Sequence, residues 1–218
     1  MTDEEIDVAV QRLRFPENAI FAALCCYRYI TVGTDFYRRH MSQGEHLVKE
    51  SLDLAWHRIV EPSSQIELDG LIKKCKSILP DLDEYQGILA VKAHYAQCLV
   101  IAVIHTLELL NEPPNSDAIQ IRKAIMELME SWLQNTVIGP NSLLEYAKTL
   151  RGLPLAEIKR AISEFQRSRS DERTQHKLYI AELNRQAQDI ADLQRASDTN
   201  NLPQMLKDRA IQNSFEWV

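Results

Sequence analysis

Between Asp83 and Asn111 the chain carries its longest apolar-rich run, and the centre of that run, Cys98 to Ile104, has no polar side chain. On a helix turning by about 100° per residue, Gln86, His94, Gln97, His105 and Glu108 share one narrow arc with Ala90 and Ile101. Away from the two ends, the rest of the circumference is apolar except for Lys92 and Thr106. A surface helix shows the reverse proportion, an apolar stripe on a polar rod. A chain holding this segment must therefore wrap helices around three of its sides and leave a thin polar strip on the fourth. Asp81 or Asp83, after Pro80, is the expected N-cap. Asn111, ahead of Pro113 and Pro114, is the expected stop. A membrane span needs about 20 consecutive apolar residues, and His94, Gln97 and His105 interrupt this run. The expectation is a buried helix of a soluble protein, with no membrane contact.

The remaining chain reads as helices that do the wrapping. Pro16 suits a helix first turn, and Ala19 to Ile30 is dense in apolar residues, giving a second strongly buried helix that ends near Gly33. A short turn over Asp35 to Met41 is expected to follow. Val48, Leu52, Trp56 and Ile59 or Val60 recur at three and four residues, and Pro62 closes that helix. Ser63 or Ser64 is the expected cap for a helix carrying Ile66, Leu68, Leu71, Ile72, Cys75 and Leu79. Beyond the central segment, Ile119, Ile121, Ile125, Leu128, Met129 and Trp132 mark another helix, stopped at Gly139 and Pro140. Ser142 and Glu145 form a capping-box pattern for a short helix ending at Gly152. After Pro154, Leu155, Ile158, Ile162 and Phe165 hold a heptad-like seam, resumed in phase by Tyr179, Leu183, Gln186, Ile190 and Leu193. Arg169, Glu172 and His176 interrupt it, so the helix either bends there or runs on in water.

Strand signals are nearly absent: there are 6 glycines, and no hairpin dipeptide separates alternating apolar runs. The predicted fold is all-α, a compact bundle of about eight helices around a buried central helix, with a long C-terminal helix. Residues 1–152 are read as the helical core and 153–218 as an arm packed on it or extending from it.

Chemistry-bearing motifs are scarce. Neither Gly-x-Gly-x-x-Gly nor a phosphate loop nor Gly-x-Ser-x-Gly occurs. None of the six histidines has Glu three residues before it, so the di-iron pattern of helical bundles is missing. The polar strip offers His94, Gln97, His105 and Glu108 as candidate ligand-binding residues. His94 and His105 lie about 16 Å apart along the axis and cannot share one ion. His105 and Glu108 alone are too few for zinc. Asp53 and His57, at i and i+4, read as a surface pair. No catalytic residue, metal site or cofactor is assigned.

Asp and Glu number 31 against 25 Lys and Arg, a net charge of −6. Nucleic acid is thereby disfavoured as a ligand, whereas a basic protein surface fits. Arg167, Arg169, Arg173 and His176 are candidate partner-binding residues on the arm, although Glu164, Asp171 and Glu172 are interleaved with them. The apolar seam of the arm also suggests self-association. Four cysteines at 25, 26, 75 and 98, without Cys-x-x-Cys, read as reduced thiols of a cytoplasmic protein.

The order of landmarks resembles the YjaG-like family of bacterial proteins of unknown function. It is carried by Phe21-Ala22-Ala23-Leu24-Cys25-Cys26 with Arg28, by Phe36-Tyr37, by Leu52-Asp53-Leu54-Ala55-Trp56, and by Pro80-Asp81 leading to Ala90 to Ala96. The resemblance spans roughly residues 15 to 135 and implies a compact helical fold, with no reaction, cofactor or catalytic residue. Two expectations follow. The first is a non-enzymatic interaction protein, such as an immunity-type inhibitor of a basic partner. The alternative is an enzyme or small-ligand-binding protein using the polar strip of the central helix.

Overall fold

A computed structural model describes residues 1–111, 117–137, 157, 159–161, 176–195 and 202–214. No β-strand occurs among them. Helix α1 spans Asp3–Gln11, opened by a capping box in which Thr2 and Glu5 satisfy each other's backbone N–H groups. It buries Ile6 and Val10.

Helix α2 spans Glu17–His40 without a break. The expected stop at Gly33 and the separate turn after it are both corrected. Gly33 lies where α2 crosses the central helix, and a Cβ there would sit 2.5 Å from Leu99 Cδ2 and 2.6 Å from Leu99 Cβ. That glycine permits close helix approach rather than ending a helix. Arg38, Arg39 and His40 close α2, where cations suit the C-terminal dipole. Helix α3, Ser42–Val60, turns back at once. A Cβ on Gly44 would lie 2.4 Å from Cδ1 of the Tyr37 ring, so the corner is as tight as a glycine allows. Val48, Leu52 and Trp56 are buried, as their spacing predicted, and of the two alternatives that follow Ile59 is buried and Val60 exposed.

Helix α4 covers Leu68–Ser77 and is capped by Glu67, whose carboxylate accepts the Gly70 N–H at 2.9 Å, rather than by Ser63 or Ser64. Asp81 also caps something other than expected: its carboxylate accepts the Asp83 N–H of a 3-10 turn, Leu82–Glu84. The central helix, α5, starts later, at Gly87 with φ +60°, and runs to Asn111.

Helix α5 has the length and apolarity of a membrane span, but α2, α3, α4 and α6 (Asp117–Trp132) pack around it. Between Ala93 and Leu110 the residues short of full burial are His94, Gln97, Ile101, His105 and Glu108, the arc read from the sequence. The two polar exceptions outside that arc have partners. Lys92 reaches Asp35 of α2 at 2.7 Å, and Thr106 donates to Ala102 O at 2.8 Å. Helix α6 buries Ile121, Ile125, Leu128, Met129 and Trp132, and continues as a π-turn, Leu133–Val137.

Two more helices are described, α7 (Lys177–Arg195) and α8 (Leu202–Gln212). Helix α7 packs on α1 and α2, and α8 on α2. The seam Tyr179, Leu183, Gln186, Ile190 and Leu193 is buried within the chain. Pairing two chains through that seam would require those contacts to open. The early heptad run from Leu155 to Phe165 lies largely outside the described residues, as do the Gly139–Pro140 stop and the Ser142 capping box.

Candidate functional site

The polar strip of α5 divides into two halves with different surroundings. In the C-terminal half, His105 Nδ1 meets Glu108 Oε2 at 3.1 Å, and Lys76 of α4 donates to Glu108 Oε1 at 3.1 Å. Gln97 Nε2 donates to the Pro80 carbonyl at 3.2 Å. These side chains stitch α4 and the loop behind it onto α5.

His94 has different company. Its Nε2 lies 3.7 Å from Cys98 Sγ, one turn further along α5, and 3.6 Å from Glu127 Oε1 of α6. Its Nδ1 lies 3.9 Å from the same sulfur. The α5–α6 contact brings this group together, and the three ligand-type atoms all fall within 4.8 Å of one another. Cys98 is buried, His94 partly exposed and Glu127 exposed. Burial pushes the Cys98 thiol up to about 12, with the Glu127 carboxylate acting in the same direction. The four residues read from the strip therefore do not converge on one place: His94 belongs with Cys98 and Glu127, whereas Gln97 and Glu108 hold neighbouring elements and His105 pairs with Glu108.

Of the candidate partner-binding residues, Arg167, Arg169 and Arg173 lie outside the described residues. His176 sits at the bend before α7, where its Nδ1 accepts the Leu178 N–H at 3.3 Å.

The densest electrostatics escaped the sequence reading. Arg28 of α2, only 2% exposed, donates to Glu182 at 3.0 Å and to Asp189 at 2.6 Å, both on α7. Arg209 of α8 grips Asp189 at 2.6 Å and Asp192 at 2.8 Å. Gln186 links Glu182, at 2.9 Å, to Arg122 of α6, at 2.8 Å. Arg122 in turn binds Asp7 at 2.6 Å and also Asp3, which accepts the Tyr179 hydroxyl. The signal was available in part. Glu182 and Asp189 stand at i and i+7 beside the heptad seam, four and three residues from its polar member Gln186, so acidic residues adjoin an apolar stripe. A cavity of about 90 Å³ adjoins this network, lined by Arg28, Arg185, Gln188, Asp189 and Arg209 among others.

A second surface lies on α1. Glu4, Glu5, Val8, Ala9 and Arg12 line a shallow groove, with Val8 46% exposed and Phe15 exposed just beyond the helix. Asp3 and Asp7 point away from it, towards Arg122.

These features define an all-helical protein with a buried central helix, in which the neighbouring α2 is fastened to α7 by buried ion pairs. Residues 5–214 match the family described as "Protein of unknown function (DUF416)", and the chain belongs to that family. The match extends well beyond the span over which the sequence landmarks were recognised. The crystal structure of a DUF416 family protein from Shewanella baltica OS155 has a similar fold, with a TM-score of 0.67 and 15% sequence identity, covering 96% of this chain and 95% of that one. No curated protein matches the chain.

Proposed function

We propose that this protein is a non-enzymatic binding protein that takes a basic partner bearing an apolar anchor, in the manner of an immunity-type inhibitor. The α1 groove carries the reading. Glu4 and Glu5 line it beside exposed Val8, with Arg12 at the end of α1, on a chain of net charge −6. Acidic groups around a small apolar patch suit recognition of a cationic surface: the charges steer the encounter and the apolar contact holds it. The reading is supported further by the polar strip, where Gln97 and Glu108 act as fasteners between elements and His105 braces Glu108. A cytoplasmic setting and kinship with the YjaG-like members of the family, carried by the Phe21 to Cys26 run with Arg28, belong to the same proposal.

The experiment is a quantitative pull-down from the source cell with the wild-type protein and with Glu4→Lys/Val8→Asp. The expected result is one stoichiometric basic protein retained by the wild type and lost by the variant, whose thermal unfolding is unchanged. Absence of any stoichiometric partner, or equal retention by both proteins, rejects the reading.

A further inference from the structure

We propose that His94, Cys98 and Glu127 form a mononuclear site for a divalent transition cation of the zinc type, with one coordination position open to solvent. Bond lengths of about 2.0–2.1 Å to nitrogen or oxygen and about 2.3 Å to sulfur, at tetrahedral angles, set ligand-to-ligand edges of about 3.3–3.6 Å. Two of the three edges here measure 3.7 Å, from His94 Nε2 to Cys98 Sγ, and 3.6 Å, from His94 Nε2 to Glu127 Oε1. The third, between the sulfur and the carboxylate, is within 4.8 Å. Closing it takes a rotation of the Glu127 side chain, which is 66% exposed and has room to turn. The i, i+4 spacing on α5 stacks His94 and Cys98 on one face, and because the sulfur lies 3.9 Å from Nδ1 as well, the imidazole turns about its Cβ–Cγ bond to aim Nε2 at the ion.

The donor set decides the class of ion. One thiolate, one imidazole and one carboxylate suit zinc and its neighbours rather than magnesium or calcium, which take oxygen ligands. Three protein ligands with a free position are the arrangement of zinc sites that bind a further ligand, whereas closed structural sites use four. The outward side faces solvent through the partly exposed His94. On binding, the cation replaces the Cys98 thiol proton, which leaves to water; no electron is transferred. This inference is independent of the α1 groove, so failure of one leaves the other intact.

The test is titration of the metal-free full chain with Co2+ alone, followed by absorbance. The expected result is one equivalent bound, with a thiolate-to-cobalt charge-transfer band in the near ultraviolet that Zn2+ abolishes by competition. Exposed pairs such as His46 with Glu50 and His57 with Glu61 hold no thiol, so cobalt bound there gives no such band. His94→Gln is expected to remove the band. Glu127→Gln, a change at an exposed side chain that leaves the fold intact, is expected to weaken binding at least about tenfold, since even ligand-supporting groups are worth that much. No band in the wild type, or a band that persists unweakened in both variants, overturns the proposal.

Discussion

Arg28 is almost completely buried, and α7 supplies both of its carboxylate partners. A buried pair adds little net stability compared with an apolar isostere, yet removing one member leaves its partners charged and unsolvated. Arg28→Ala is therefore expected to destabilise the protein by about 3–5 kcal/mol, read as a lowered urea midpoint. A loss below about 1 kcal/mol would mean that Glu182 and Asp189 find other donors or water. The buried thiols set a second dependence. Cys26 and Cys98 are both pushed from the ordinary 9.0 to about 12, chiefly by burial. Their contribution is fully present below 9.0, where folded and unfolded chains both keep the proton. Above that, the unfolded chain releases protons that the native chain holds, so stability falls as the pH rises towards about 12. Urea midpoints of the metal-free protein at pH about 8 and about 10.5 check the sign, and Cys26→Ala is expected to flatten the slope. A midpoint that stays constant or rises contradicts the assignment.

The meeting of α2 and α5 depends on a missing side chain. Gly33 leaves room for Leu99, and a methyl group there would overlap the Leu99 side chain, including its Cβ, which the α5 backbone holds in place. Gly33→Ala should improve helix propensity by up to about 1 kcal/mol, yet lose about 1–3 kcal/mol to overpacking. The expected outcome is net destabilisation, partly relieved by adding Leu99→Ala. Calorimetric melting of the single and double variants measures this, and a stabilised Gly33→Ala would show that the crossing has slack. This same position shows where reading the sequence stops. Glycine at the end of an apolar run is a common helix terminator, and nothing local distinguishes that role from close approach to a helix more than sixty residues away. The strip on α5 was legible because it depends only on helical phase. The site at His94 was half legible: His94 was flagged, but Cys98 looked like core, and Glu127 comes from another helix. Arg28 stood out only as a landmark, because its partners lie far down the chain. Caps at Glu67 and Asp81 were misplaced by a few residues, where several side chains compete for the same N–H groups.

For the molecule as a whole, the central helix is enclosed mainly by elements between residues 17 and 137, while α7 and α8 close over α2 through charged groups. Deleting residues 177–218 removes Glu182 and Asp189 and leaves Arg28 facing neither. The truncated chain is expected to keep helical far-ultraviolet circular dichroism, lose cooperative melting and bind a hydrophobic dye. A truncated chain that melts as sharply as the full one would show that the bundle is complete without α7.

Asp3 touches both Arg122 and the Tyr179 hydroxyl. Helix α1 is thus latched by groups synthesised more than a hundred residues after it. Until Tyr179 and the acids that follow it emerge, the nascent protein carries α1 without its final seat and Arg28 without a counter-ion. Assembly of this fold is a closing event, timed by translation of α7.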